Sequence, residues 1–349
     1  MKLSVGPFGI MLRPRVLAAN GGLVLVGFAM MVLSLCLGTY SNLSVDQVLG
    51  ALFGYGSGDS NLVVRELRLP RALTAVLVGV AFGLAGAVFQ AVTRNPLASP
   101  DLIGISAGAG TGAITAILFG GVTAAGAGSY GGVPFGALCG ALAAATAIYL
   151  FAYRGGAITG YRFVLVGLAM QGALIALNRW MLAKADIDQA SRVMVWLTGS
   201  LNGRDYTHVK WVGLGLLVLV PPVLALGRAY QLLQFDDDTA RGLGIGIGRA
   251  RIVLLVLATC LAAMACASAG LIGFVALGAP QVARRLTGRA EIPLVASALT
   301  GAVLIVAADL LGRTLFSPTE LPVGIVTGVV GAPYLMWLLA RTNRVGKGG

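Results

Sequence analysis

Ten apolar stretches, most of them about 20 residues long, follow one another along this chain and leave little room for anything else. They cover residues 16–39, 72–93, 102–120, 133–153, 163–183, 209–229, 251–270, 271–283, 293–315 and 321–341. A helix needs about 20 apolar residues to cross a bilayer, so each stretch reads as a membrane-spanning element. The first follows Arg13 and Arg15. It is longer than the apolar core of a secretory signal, and it reads as a retained first helix with its N-terminus inside. Composition agrees. Of 349 residues, 57% are hydrophobic and 11% charged, with a mean hydropathy of +0.88. A soluble domain carries about 25% charged residues. A water-soluble fold is therefore excluded, and so is disorder, which needs low hydrophobicity. Four cysteines exclude a disulfide scaffold, and the single histidine, His208, argues against a His-rich metal or haem site.

The chain holds 25 basic and 13 acidic side chains, a net charge of +12. The basic residues sit singly or in pairs between apolar runs, which is not the footprint of a nucleic-acid-binding domain. Ten spans with the N-terminus inside put both termini inside. That topology places 16 of the 25 basic residues on the inner side, in agreement with the positive-inside rule. It also exposes an anomaly. Arg65, Arg68 and Arg71 cluster on the outer side, just before the second span.

Glycine is densest at 104–112 (GISAGAGTG) and within 268–278 (SAGLIGFVALG). Small residues let helix backbones approach closely in lipid. Each stretch begins a short or interrupted element directly after a long span, 72–93 and 251–270. The two long spans run in opposite directions, so the pattern fits either glycine serving packing alone or an inverted repeat whose broken elements mark a transport route.

Chemistry-bearing motifs are few. A Walker A loop needs G-x-x-x-x-G-K-[ST], and none of Lys2, Lys184, Lys210 and Lys347 has that context, so any ATP-driven motor must be another subunit. The run 242–248 (GLGIGIG) lacks the dinucleotide-loop spacing. Asp236, Asp237 and Asp238 form the one acidic run, without the second cluster that a Mg²⁺–diphosphate site would want. They suit the first turn of a short helix that ends at Arg241 and Gly242. This segment, from Phe235 to Leu243, lies in the longest inner loop, 230–250. It reads as a plain connection or as a docking knob for a partner. Cys36, Cys139, Cys260 and Cys266 fall in apolar spans and read as inert buried thiols. His208 reads as an interfacial residue. Asp309 and Arg313, four apart, can pair along one helix turn or face a partner. Gln171, Asn178 and Arg179 line a watery route or bond to a neighbouring helix.

Several of these segments resemble one family in the right order. They are 65–71 (RELRLPR), 86–100 (GAVFQAVTRNPLASP), 104–110 (GISAGAG), 236–244 (DDDTARGLG), 270–285 (GLIGFVALGAPQVARR) and 321–333 (LPVGIVTGVVGAP). Together they resemble the iron-siderophore and vitamin B12 ABC importer permeases, from about residue 45 to 341. Within that family the chain is most similar to permeases for ferric catecholate siderophores such as ferric enterobactin, an impression to which 177–187 and 206–211 contribute. Two phrases depart from the family pattern. Where the family phrase is G-P-I-G-F, Ala269–Gly270 precedes 271–274 (LIGF) and the proline is missing, and residues 278–281 read Gly-Ala-Pro-Gln.

The resemblance implies an all-α, ten-helix permease subunit of type II architecture with an inverted pseudo-repeat, in a bacterial inner membrane. It implies a second permease chain, identical or homologous, and two ATP-binding subunits that hold ATP and Mg. It also implies a substrate-binding protein that delivers the ferric siderophore. The permease itself binds no cofactor or metal and catalyses no reaction. By the same resemblance Arg68, Arg71 and Arg313 dock the binding protein. Phe235, Asp236, Asp237, Asp238, Thr239, Ala240 and Leu243 couple to the ATPases. Asn95 and Leu97 form the inner gate, with Gln171 and Asn178 along the path. Haem or cobalamin is the alternative cargo, and an ion-coupled carrier or an intramembrane enzyme the alternative class.

Overall fold

The computed structural model describes residues 2–5, 8–11, 14–38, 42–56, 58–119, 132–153, 160–235 and 247–345. After a short antiparallel ribbon, β1 (Lys2–Val5) and β2 (Phe8–Met11), every element is helical. In chain order these are α1 (Pro14–Cys36), α2 (Val45–Phe53), α3 (Gly58–Asn61), a π-helical turn (Leu62–Arg68), α4 (Leu69–Thr93), α5 (Ile105–Phe119), α6 (Gly132–Ala152) and α7 (Gly160–Ala183). They continue as α8 (Ile187–Leu197), α9 (Tyr206–Ala225), α10 (Gly227–Leu233), α11 (Ile247–Ala269), α12 (Val275–Thr287), α13 (Leu294–Thr314) and α14 (Val323–Val345). Each of the ten apolar stretches overlaps one of these helices, except that 209–229 runs across α9 into α10. Seven are long and apolar enough to cross a membrane, and 105–119 and 323–337 are shorter apolar helices.

Burial sorts the helices into a centre and a periphery. The most apolar window of α4 is 78% buried, whereas that of α1 is not buried at all. Such exposed apolar faces are stable only in lipid or against another subunit. Helices α4, α11 and α13 form the centre, with Phe82, Phe89, Leu254, Leu255 and Ile305 fully enclosed.

Small residues make the contacts. On α5 and α6 two G-x-x-x-G pairs face each other, Gly108/Gly112 and Gly136/Gly140. A Cβ added at Gly136 would lie 2.6 Å from the Gly112 carbonyl oxygen, and one at Gly108 would lie 2.7 Å from that of Gly140. Only hydrogen fits there, so the backbones touch. Helices α4 and α13 meet in the same way, with Gly79 against Gly301 and Ala302.

The two long central helices α4 and α11 each end in a break and give way to a short helix, α5 of 15 residues and α12 of 13. Left-handed backbone makes both breaks, at Gly104 (φ 94°) in the first and at Gly270 (φ 75°) and Phe274 (φ 65°) in the second. Gly270 reaches this conformation without a Cβ clash. The breaks occupy corresponding places in the two halves, which favours the inverted repeat over glycine as mere packing filler.

The expectation of four buried thiols holds in part. Cys36 and Cys266 are buried, Cys260 is half-buried and Cys139 is exposed on α6.

Candidate functional site

The two breaks are tied together. Asp101, in the turn before α5, accepts a hydrogen bond through Oδ2 from the backbone N–H of Phe274 at 3.2 Å. The other break residues are held in the same region. Ser200 N donates to Ala269 O at 2.9 Å, and Gly324 N donates to Gly199 O at 3.0 Å. Beside this junction lies a cavity of about 410 Å³, lined by Asp101, Gln171, Asn178, Arg179, Leu197 and Leu271, among others. Gln171, Ile175, Asn178, Arg179 and Leu182 form one stripe of α7 at helical spacing. Asn178 also answers its other reading. Its Oδ1 accepts from Thr111 at 2.6 Å, and its Nδ2 donates to Ala107 O at 3.2 Å. It fastens α7 to α5 and lines the cavity at once. A mostly apolar cavity with a few converging polar groups is the usual form of a ligand passage.

At the Arg71 end of α4 the arginines are not laid out on the surface as a projecting trio. Arg68 is 7% exposed and Arg313 is 3% exposed. Arg68 donates through Nη1 to Leu35 O (2.7 Å) and Cys36 O (2.9 Å), and Arg313 donates to Ser34 O (2.8 Å) and Ser34 Oγ. These are the last carbonyls of α1, which a helix cannot satisfy itself, and cationic donors suit that negative end of its dipole. Arg65 does the same for α2, donating to Leu52 O at 2.8 Å. The unusual basic cluster is thus explained locally by helix capping. Arg71 is engaged differently. It grips Asp309 through Nε and Nη2 (3.0 and 2.8 Å) and donates through Nη1 to Glu320 Oε2 at 2.9 Å. Asp309 and Arg313 also pair within α13, but more loosely, at 3.5 Å.

At the other end of α4, Arg94 closes the helix with φ 52° and Asn95 caps the following turn, its Oδ1 accepting from Leu97 N at 2.9 Å. The Arg94 side chain reaches α10, donating through Nε to Leu233 O at 3.0 Å. Tyr230 on α10 donates to Ile292 O at 2.8 Å, and Gln234 accepts from Ile292 N at 2.7 Å. The segment that leads to Phe235 is therefore bolted to the bases of α4 and α13. Phe235 is 45% exposed. Asp236, Asp237, Asp238, Thr239, Ala240 and Leu243 lie outside the described residues.

Sequence reasoning passed over several residues. Asp101, Glu320 and Arg94 act across 139 or more positions, and no local spacing announces them. The same holds for a buried amide pair, in which Gln281 Nε2 donates to Gln90 Oε1 at 2.6 Å and Gln90 Nε2 donates to Leu277 O. His208 lies buried in the first turn of α9. It bonds Asp205 Oδ1 through Nδ1 at 2.8 Å, with Arg204 3.0 Å from Nε2. Among the described residues, no group of three or more His, Cys, Asp or Glu side chains could hold a metal ion.

Residues 24–341 match the model of the FecCD transport family. This chain is a member of that family. Within it, the chain is 39% identical over 303 residues to the ferric enterobactin transport system permease protein FepG of Escherichia coli, covering 86% of this chain and 89% of the relative. It is also 39% identical to the achromobactin transport system permease protein CbrC of Dickeya dadantii, over 91% of this chain and 90% of the relative. Among solved structures it is similar to an inward-facing structure assigned to the metal-chelate type of ABC transporter. There the TM-score is 0.78 and the identity 28%, over 93% of this chain and 99% of that one. The FecCD chain described here therefore has the all-helical fold of a type II ABC importer permease.

Proposed function

We propose that this FecCD chain is the membrane-spanning permease subunit of an ATP-driven importer that takes up ferric siderophores across a bacterial inner membrane. One observation carries the reading most directly. The breaks that follow two long apolar helices meet at the Asp101–Phe274 junction beside a cavity lined from α7, and irregular backbone within a membrane is tolerated only where it is buried in protein or lines a cavity. The iron chelates named for the relatives point to the cargo class.

The chain pairs with a second permease, identical or homologous, and the cargo passes between the two. Gln171 and Asn178 line the path, and Asn95 and Leu97 form the gate at the cytoplasmic end, where both termini lie. Two ATP-binding subunits holding ATP and Mg dock on the segment from Phe235 to Leu243, through Phe235, Asp236, Asp237, Asp238, Thr239, Ala240 and Leu243. Force applied there reaches the gate through the Arg94–Leu233 bond. The permease performs no covalent chemistry and needs no cofactor of its own. A substrate-binding protein docks at the opposite end. Arg71 makes the ionic contact, while Arg68 and Arg313 hold the helix ends around it. The cargo biases an equilibrium of outward and inward states by its differential affinity for them.

The test is reconstitution. Proteoliposomes that contain the permease pair, the ATPases and the binding protein accumulate ⁵⁵Fe-siderophore only with ATP. Equal accumulation by the permease alone overturns the reading.

A further inference from the structure

The two carboxylates on Arg71 are not equivalent. Asp309 is 2% exposed and is held by both Nε and Nη2, with Arg313 at 3.5 Å on its other side. Its burial makes it a fixed counter-ion, because removing one partner of a buried pair strands the other. Glu320 is 24% exposed, and Arg71 donates to its Oε2 through Nη1. It sits just beyond α13, in the link to α14 that contains the exposed residues Leu315 and Phe316. Of the two carboxylates Glu320 is the more exposed, and so the one that can give way to another acid. Arg71 is thus already engaged by an acid of its own chain.

We propose that Glu320 is an intramolecular stand-in for the binding protein: it holds Arg71 in the undocked state and gives way to a carboxylate of the binding protein on docking. This rests on the docking role assigned to Arg71 above. The partner surface it fits is an acidic one, with a carboxylate that reaches Nη1 of a guanidinium whose other donors are fixed by Asp309. Asp309 stays on Arg71 throughout the exchange, so the cation keeps a counter-ion while Glu320 gives way. It also makes docking a competition, which weakens and loosens the complex relative to an unoccupied arginine.

The experiment measures binding-protein affinity for the whole transporter in nanodiscs, by biolayer interferometry, for wild type, Glu320→Gln, Arg71→Gln and the double variant. The expected result is that Glu320→Gln binds about 2- to 5-fold tighter, and that Arg71→Gln binds more weakly. In the Arg71→Gln background the Glu320 change should have no further effect. Glu320→Asp, which shortens the reach by one methylene, gives an intermediate gain and serves if the amide variant does not assemble. If Arg71→Gln weakens docking but neither Glu320 variant tightens it, the stand-in is overturned while the docking role stands. Should Arg71→Gln bind as wild type does, the docking role fails and the stand-in fails with it.

Discussion

Asp101 and Phe274 stand 173 positions apart, yet Asp101 Oδ2 accepts the Phe274 backbone N–H at 3.2 Å. Phe274 has φ 65°, a conformation that a non-glycine residue holds only when its surroundings impose it. The carboxylate thus offsets local strain at the start of α12 and joins the two halves of the chain where both are broken.

Replacing Asp101 with Ala removes the acceptor of this part-buried N–H, a loss of about 0.5–1.5 kcal/mol. Asp101→Asn keeps an acceptor oxygen. The expected outcome is a clear fall in melting temperature and uptake for the alanine variant and near-normal stability for the asparagine one. Equal melting of the two variants would remove the pinning role.

The G-x-x-x-G contact of α5 and α6 offers a cleaner comparison. A methyl group at Gly136 meets the Gly112 carbonyl oxygen at 2.6 Å, whereas one at Gly172 on α7 meets nothing within 4 Å. Gly136→Ala should destabilise by about 1–3 kcal/mol through overpacking, and Gly172→Ala should not destabilise the isolated subunit. Differential scanning fluorimetry in detergent reads both.

Much of this architecture was legible in the sequence. The ten apolar stretches all overlap helices, because a bilayer demands length and apolarity that composition reveals directly. The breaks at 104 and 270 showed as glycine after a long apolar run. The polar residues of α7 do gather on one cavity. What could not be read was pairing at long range. Arg68 read as an outer-side cation and Arg313 as a partner of Asp309 or of another protein, since spacing alone does not say that the carbonyls of Ser34, Leu35 and Cys36 wait beside them. The i,i+4 pair of Asp309 and Arg313 was visible, but the tighter bond from Arg71 comes from 238 positions away. The amphipathic helix α8 was also passed over, although Asp186 and Gln189 form a capping box at its start.

A second capping box gives a pH dependence. Asp205, ahead of α9, accepts from the backbone N–H groups of Thr207 and His208 and from the His208 ring. Burial pushes its carboxyl up, but the His208 side-chain and backbone bonds, with that of Thr207, outweigh this and hold it below the usual carboxylate value of 3.8. The stabilisation is therefore complete above that value and is lost as pH falls through the depressed one. Asp205→Ala should cost about 1 kcal/mol at neutral pH. It should also flatten the part of the melting-temperature profile below pH 4 that the wild type owes to this group. A profile of unchanged shape would assign the acid response elsewhere.

The Arg94–Leu233 bond bears on how work reaches the gate. Arg94 ends α4 and immediately precedes Asn95, while Leu233 ends α10 just before the exposed Phe235. If the proposed roles hold, a displacement of the segment after α10 reaches the turn of Asn95 and Leu97 through the Arg94–Leu233 bond, alongside the Tyr230–Ala87 bond of α10 with α4. Arg94 also holds a left-handed φ of 52°, so two effects must be separated. Arg94→Ala loses the bond and keeps the backbone strain. Arg94→Gly loses the bond and relieves the strain. If the bond transmits force, both variants should hydrolyse several ATP per chelate imported for each one used by the wild type, with binding-protein affinity unchanged. If strain alone matters, the glycine variant should couple normally and only the alanine variant should fail. The ratio of phosphate released to ⁵⁵Fe accumulated in proteoliposomes decides between them, and a wild-type ratio in both would show that coupling does not depend on the Arg94–Leu233 bond.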